Sequence, residues 1–147
     1  MYCIQAVIAT DPVLRELAAA LPEACIVPLG RHLSLLPMTD ALLAGLDKTS
    51  AGIGALIATR STSGPVAYVV AEYFGGTGAQ TAQVWDAGQM VLGPLHLAEG
   101  EPAPAAGTPI AQALRQLGVT KGSHFDEFDA VSLGRYRDTD DWLPPTS

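Results

Sequence analysis

The chain has few basic residues, few cysteines and no long apolar run. Its 147 residues include 8 Lys and Arg against 15 Asp and Glu, a formal net charge of −7. With a sequence pI near 4.7, its surface repels phosphate backbones, and it has no Lys/Arg stripe to offset that. Nucleic acid and anionic membrane are therefore excluded as expected partners, while a basic protein is electrostatically favoured. No stretch approaches the roughly 18 to 20 apolar residues that span a bilayer. The start, MYCIQAVIATDP, has no basic segment before its apolar residues and reads as a first strand, so a cytoplasmic protein is expected.

The two cysteines, Cys3 and Cys25, sit among apolar neighbours and read as buried thiols acting as small hydrophobes. A reducing compartment argues against a disulfide. The three histidines, His32, His96 and His124, are scattered without CxxC or HxxxH spacing, so no structural metal and no cofactor is expected. No GxSxG elbow supplies a serine nucleophile. No internal repeat is visible.

What is present is a full complement of core residues. At 48% hydrophobic, the chain can bury a core as one domain over 1–147. Mean hydropathy is +0.25, high for a polar-surfaced domain and compatible with a homo-oligomer. IQAVIA, 4–9, reads as a strand. Asp11 is a candidate helix cap, followed by Pro12 and by Val13, Leu14, Leu17 and Leu21 on one helical face. ACIVPL, 24–29, reads as a second strand, which suggests a parallel βαβ unit or a split pair. Residues 30–36 fit a strand or a turn. Thr39 is expected to cap a helix running to Leu46, and 55–60 reads as a strand followed by a polar turn, STSGP. Thr108 and Pro109 start a further helix, and Gly118 ends it.

The clearest organisation is an antiparallel meander. VAYVVAEYF (66–74), AQTAQVWD (79–86) and QMVLG (89–93) read as strands joined by GGTG and DAG. The glycines at 75, 76 and 78 raise the question of a phosphate loop. A Walker loop needs Gly-Lys-Ser/Thr, but Ala79, Gln80 and Thr81 follow Gly78. A dinucleotide fingerprint needs a third glycine opening a helix, and TAQVW is strand-like instead. Without a helix N-terminus the anion loses its electrostatic support. The stretch therefore reads as a hairpin turn. The expected fold is α+β, a mixed α/β sandwich whose antiparallel-dominated sheet has about five or six strands, with helices mainly on one face. A mostly parallel α/β sheet is the alternative.

Two groups of residues are candidate binding contacts. Glu72, Tyr73 and Gln80 fall at one end of the meander, where loop tips on rigid strands collect function. A solvated Glu72 and a cross-strand bond from Gln80 are the structural alternatives. Asp138, Asp140 and Asp141 beside Trp142 form an acidic tail, with Trp142 either an anchor for a basic partner groove or an aromatic docking the terminus. His124, Asp126, Glu127 and Asp129 spread over more than one face of any regular element and read as a solvated acidic segment. No catalytic residue is assigned.

YFGGTGAQTAQVW is similar to a segment of small, uncharacterised bacterial proteins, chiefly from high-GC bacteria. The overall profile, one small acidic domain without a catalytic motif, resembles the immunity proteins of bacterial toxin systems. That resemblance transfers no functional residues. It implies a non-catalytic binding protein, an immunity-type inhibitor that masks a basic toxin or enzyme surface. The alternatives are a small-molecule-binding domain or enzyme sited at the tip of the 66–93 meander, and a subunit of a larger assembly.

Overall fold

The structure, a computed structural model, describes residues 2–19, 25–29, 33–38, 57, 61–74, 77–98, 101–102, 105, 107–120, 122–123, 127–131, 133 and 139–142. The helix expected from Thr39 to Leu46 lies outside them. Six strands form one sheet: β1 (Tyr2–Thr10), β2 (Val27–Pro28), β3 (Leu33–Pro37), β4 (Val66–Phe74), β5 (Thr77–Asp86) and β6 (Gln89–Leu97). Their spatial order is β2-β3-β1-β4-β5-β6. Every neighbouring pair is antiparallel. The fold is α+β, and the parallel-sheet alternative is set aside.

The first thirty residues make a split unit. Helix α1 (Asp11–Ala18) links β1 to β2. Both strands pair antiparallel with β3, so they run in the same direction with β3 between them. The helix start differs from expectation. Thr10 occupies the cap position without a side-chain bond, and Asp11 falls inside the first turn. Its carboxylate accepts from Arg15 Nε at 2.5 Å, one turn along.

The meander is longer than its sequence pattern. Phe74 pairs with Thr77, which leaves only residues 75 and 76 as the link. Asp86 pairs with Gln89 around Ala87 and Gly88, with φ of 54° and 83°. Positive φ at both central residues is the twist-matched geometry of a two-residue hairpin. Buried Ser61 holds this turn from outside: its carbonyl accepts from Ala87 N at 3.0 Å and its hydroxyl from Gly88 N at 2.9 Å.

The strand expected over 89–93 continues through Pro94 to Leu97. Two register shifts against β5 absorb extra residues on β6. Gly93 has φ of 90°, and a Cβ there would lie 2.6 Å from Ala82 O. An edge strand tolerates proline and glycine at such irregularities, because its outer side carries no ladder. The strand expected over 55–60 is corrected at the residue described there. Ile57 is helical and fully buried; a short apolar run such as ALIA does not by itself separate strand from helix.

Side-chain alternation puts one buried cluster on each face of the sheet. On the first face Ile4, Ala6 and Ile8 of β1, Ala67, Val69 and Ala71 of β4, and Ala82 and Val84 of β5 meet Ile110, Ala113 and Leu114. Those last three belong to α2 (Pro109–Gln116), and α3 (Glu127–Ala130) adds Ala130. On the second face Val7, Ala9, Val66 and Trp85 pack with Val13, Leu14 and Leu17 of α1, and with Leu36, Met38 and Ile57. Helices α2 and α3 therefore share one face, and α1 and the helical Ile57 take the other.

Candidate functional site

Gln80 is the first sequence-selected residue whose role the structure decides. It is only 5% exposed. Its Oε1 accepts from Ile110 N at 3.0 Å. That bond completes the first turn of α2. Thr108 Oγ1 accepts from Ala111 N at 3.3 Å, Gln112 N reaches Thr108 O at 3.0 Å, and Pro109 has no N–H to satisfy. The N-terminus that an anion would seek is filled by protein oxygens. At the other end Gly118, with φ of 96°, closes the helix as its sequence suggests. Gly118 N donates to Arg115 O and Val119 N to Leu114 O, both at 3.0 Å.

This rearranges the meander tip. In register Ala71 pairs with Gln80, Glu72 with Ala79 and Tyr73 with Gly78. Ala71 belongs to the first-face core, so Gln80 points to that face and Glu72 to the other. Glu72 is exposed. The proposed grouping of Glu72 with Gln80 around one pocket is therefore corrected: α2 recruits Gln80, and the two side chains stand on opposite faces. Tyr73 lies in β4 between them, and its side chain is outside the described set.

The tail is likewise redistributed. Asp138 lies outside the described residues. Thr139–Trp142 form a 3-10 helix that carries Asp140 and Asp141. Trp142 is 2% exposed and belongs to the first-face core. Its indole docks the tail and is not an exposed anchor, which corrects that reading. Thr139 supplies the other attachment. Its Oγ1 accepts from Gln5 N at 3.0 Å and lies 3.5 Å from Cys3 O. The β3 ladder on β1 runs from Thr10 to Ala6, and Met38 N extends it by donating to Gln5 O at 2.8 Å. The threonine hydroxyl takes the Gln5 N–H on the same side of the strand. This contact spans 134 residues of sequence, and no local pattern announces it.

The acidic segment at 124–129 resolves in part. Glu127 is 6% exposed, and its Oε1 accepts from Arg115 Nε at 3.1 Å. It ties α3 to the last turn of α2. Among the described residues no group of three or more His, Cys, Asp or Glu side chains could hold a metal. His124 and Asp126 lie outside that set. Cys3 and Cys25 are half-buried, not fully buried as expected, and form no disulfide.

Among the described residues, the second-face cluster covers only part of that face. Beyond Val7 and Trp85, where α1 no longer covers the sheet, it carries polar side chains in register. Gln5, Val70, Thr81 and His96 form one row across four strands, and Cys3, Glu72 and Ala79 form the next. The Gln5 amide donates to the Tyr68 hydroxyl. Thr81 Oγ1 lies 3.1 Å from His96 Nδ1. These pairs order the surface without burying it. Alternation along 79–86 sets Thr81 opposite Ala82 and Val84, but no local pattern brings Gln5 and His96 into its row, because that depends on strand order. Glu72 pairs in register with Cys3 on the β4 side of β1, and the helix whose chain includes Asp140 and Asp141 is bonded to the backbone of Gln5 on the β3 side. No protein-family model, curated protein or solved structure matches the chain.

Proposed function

We propose that the protein is a non-catalytic binding module that masks a basic protein surface, in the manner of an immunity-type inhibitor. Its contact area is the polar half of the second face, with Glu72 upon it and Asp140 and Asp141 at its border. The observation that supports this most is that two segments rich in acids, distant in sequence, flank residues 3–5 of β1 from its two sides. The net charge of −7 favours the same class of partner. A sheet half bearing amide, hydroxyl and imidazole groups suits a protein contact, in which a charged rim steers association and ordered polar groups set register.

The test is retention of partners from a native lysate on the tagged chain, at low and at high salt. The reading expects a basic protein in stoichiometric amount, released by salt. It also expects that protein to be lost from Glu72→Lys and weakened by joint Asp140→Asn and Asp141→Asn replacement. A partner that survives high salt and ignores all three changes rejects the electrostatic contact. Retention of a metabolite instead moves the assignment to a ligand-binding role.

A further inference from the structure

Charge is almost absent from the sheet. In a chain with 8 basic and 15 acidic residues, the six strands contain just Glu72 and Asp86. Asp86 ends β5 beside the 87–88 turn, whereas Glu72 lies inside β4. Glutamate is a poor strand former, and it sits in a strand most readily when something pairs with it. Among the described residues the ion pairs join Arg15 to Asp11 and Arg115 to Glu127, and neither involves Glu72. Its register neighbours, Cys3 on β1 and Ala79 on β5, are small and leave room on both sides of an exposed carboxylate. The neutral polar groups of the next row are matched elsewhere, Gln5 with Tyr68 and Thr81 with His96. Glu72 is thus a single exposed anion on a neutral, ordered sheet face.

We propose that Glu72 receives the guanidinium of one arginine side chain of the partner. This rests on the reading that the second face meets a basic protein, and it narrows that contact to one charged group. Charge complementarity selects a cation, since the anion lies on a chain of net charge −7. Chemistry selects arginine over lysine. A carboxylate offers two oxygens to the planar fork of a guanidinium, which binds them with two parallel hydrogen bonds. A guanidinium is also more weakly hydrated than an ammonium, and its carbon stem can lie along uncharged surface such as Val70, Cys3 and Ala79 beside Glu72. Protein contacts accordingly favour arginine and disfavour lysine at their centres. Asp140 and Asp141, carried on a short 3-10 helix, add attraction at longer range without a shaped receptor.

The test is titration of labelled hexa-arginine and hexa-lysine peptides with the full chain, read by fluorescence anisotropy at low salt. Glu72→Gln keeps the shape of the side chain and removes its charge. Glu16→Gln, at an exposed position on α1, controls for the loss of one charge from the whole molecule. Glu72→Gln is expected to weaken hexa-arginine at least about threefold, and Glu16→Gln less than about twofold. Hexa-lysine is expected to bind the unaltered protein more weakly than hexa-arginine and to respond less to Glu72→Gln. Equal losses from the two variants, or hexa-lysine held as tightly as hexa-arginine, overturn the proposal. The peptides decide this whether or not a lysate yields a partner. A basic protein that is captured and then lost from Glu72→Lys, beside peptides indifferent to Glu72→Gln, would sink the arginine receptor and leave the wider contact standing.

Discussion

The two faces of the sheet solve different problems with the same strands. On the first face the polar groups of Gln80 and Glu127 are turned to structural work, one finishing α2 and the other tying α3 to it. Trp142 closes that layer with the end of the described chain. On the second face, among the described residues, α1 and Ile57 cover one part, and the rest carries ordered polar pairs. Buried polar groups with defined partners point to architecture. Ordered polar groups left at the surface are the ones free to meet another molecule. Sequence reasoning weighed Gln80, Trp142 and Glu72 alike, and it is this comparison that separates them.

The contrast predicts large stability losses on the first face and small ones on the polar half of the second. Trp142→Ala removes the largest fully buried side chain and should cost about 3–5 kcal/mol in chemical denaturation. A loss below about 1 kcal/mol would mean that the tail is not part of the core. Gly93→Ala places a Cβ against Ala82 O at positive φ. The expected cost is about 2–3 kcal/mol, read from the same denaturation curves. Gln80→Ala leaves the Ile110 N–H buried without that acceptor and should cost about 1–3 kcal/mol. Its loss should appear as faster hydrogen exchange at the start of α2. Unchanged exchange there would remove the capping role.

The smaller effects sharpen the other side. Ala87→Gly relieves a non-glycine residue held at φ of 54° and should raise the melting midpoint, by about 0.5–1 kcal/mol of stability. Glu72→Gln and Thr81→Ala, on the polar half, should each change stability by less than about 0.5 kcal/mol. A much larger loss from either would show that this half is structural after all.

Local chemistry was legible and long-range pairing was not. Thr108, Pro109 and Gly118 marked the bounds of α2 because caps act within one turn. The meander announced itself through β-branched runs and glycine-containing links. The length of β6 did not, since Gly93-Pro94 signals a stop anywhere but at an edge. The split of β1 and β2 by β3 was one of two readings left open, because strand order depends on contacts that no window of sequence contains. The roles of Gln80, Thr139 and Trp142 were hidden for the same reason. Each depends on a meeting across tens of residues. The acidic candidates were visible as residue types, but not the placement of their two segments on either side of β1.

The central claim is that recognition belongs to the polar half and to its acidic border. The most direct measurement is quantitative lysate capture with the unaltered protein beside its Glu72→Lys variant, each at two salt concentrations. The account predicts a basic protein held at low salt, released at high salt and lost from the variant, while both proteins melt within about 0.5 kcal/mol of each other. Equal retention by the two, or a partner indifferent to salt, would contradict it.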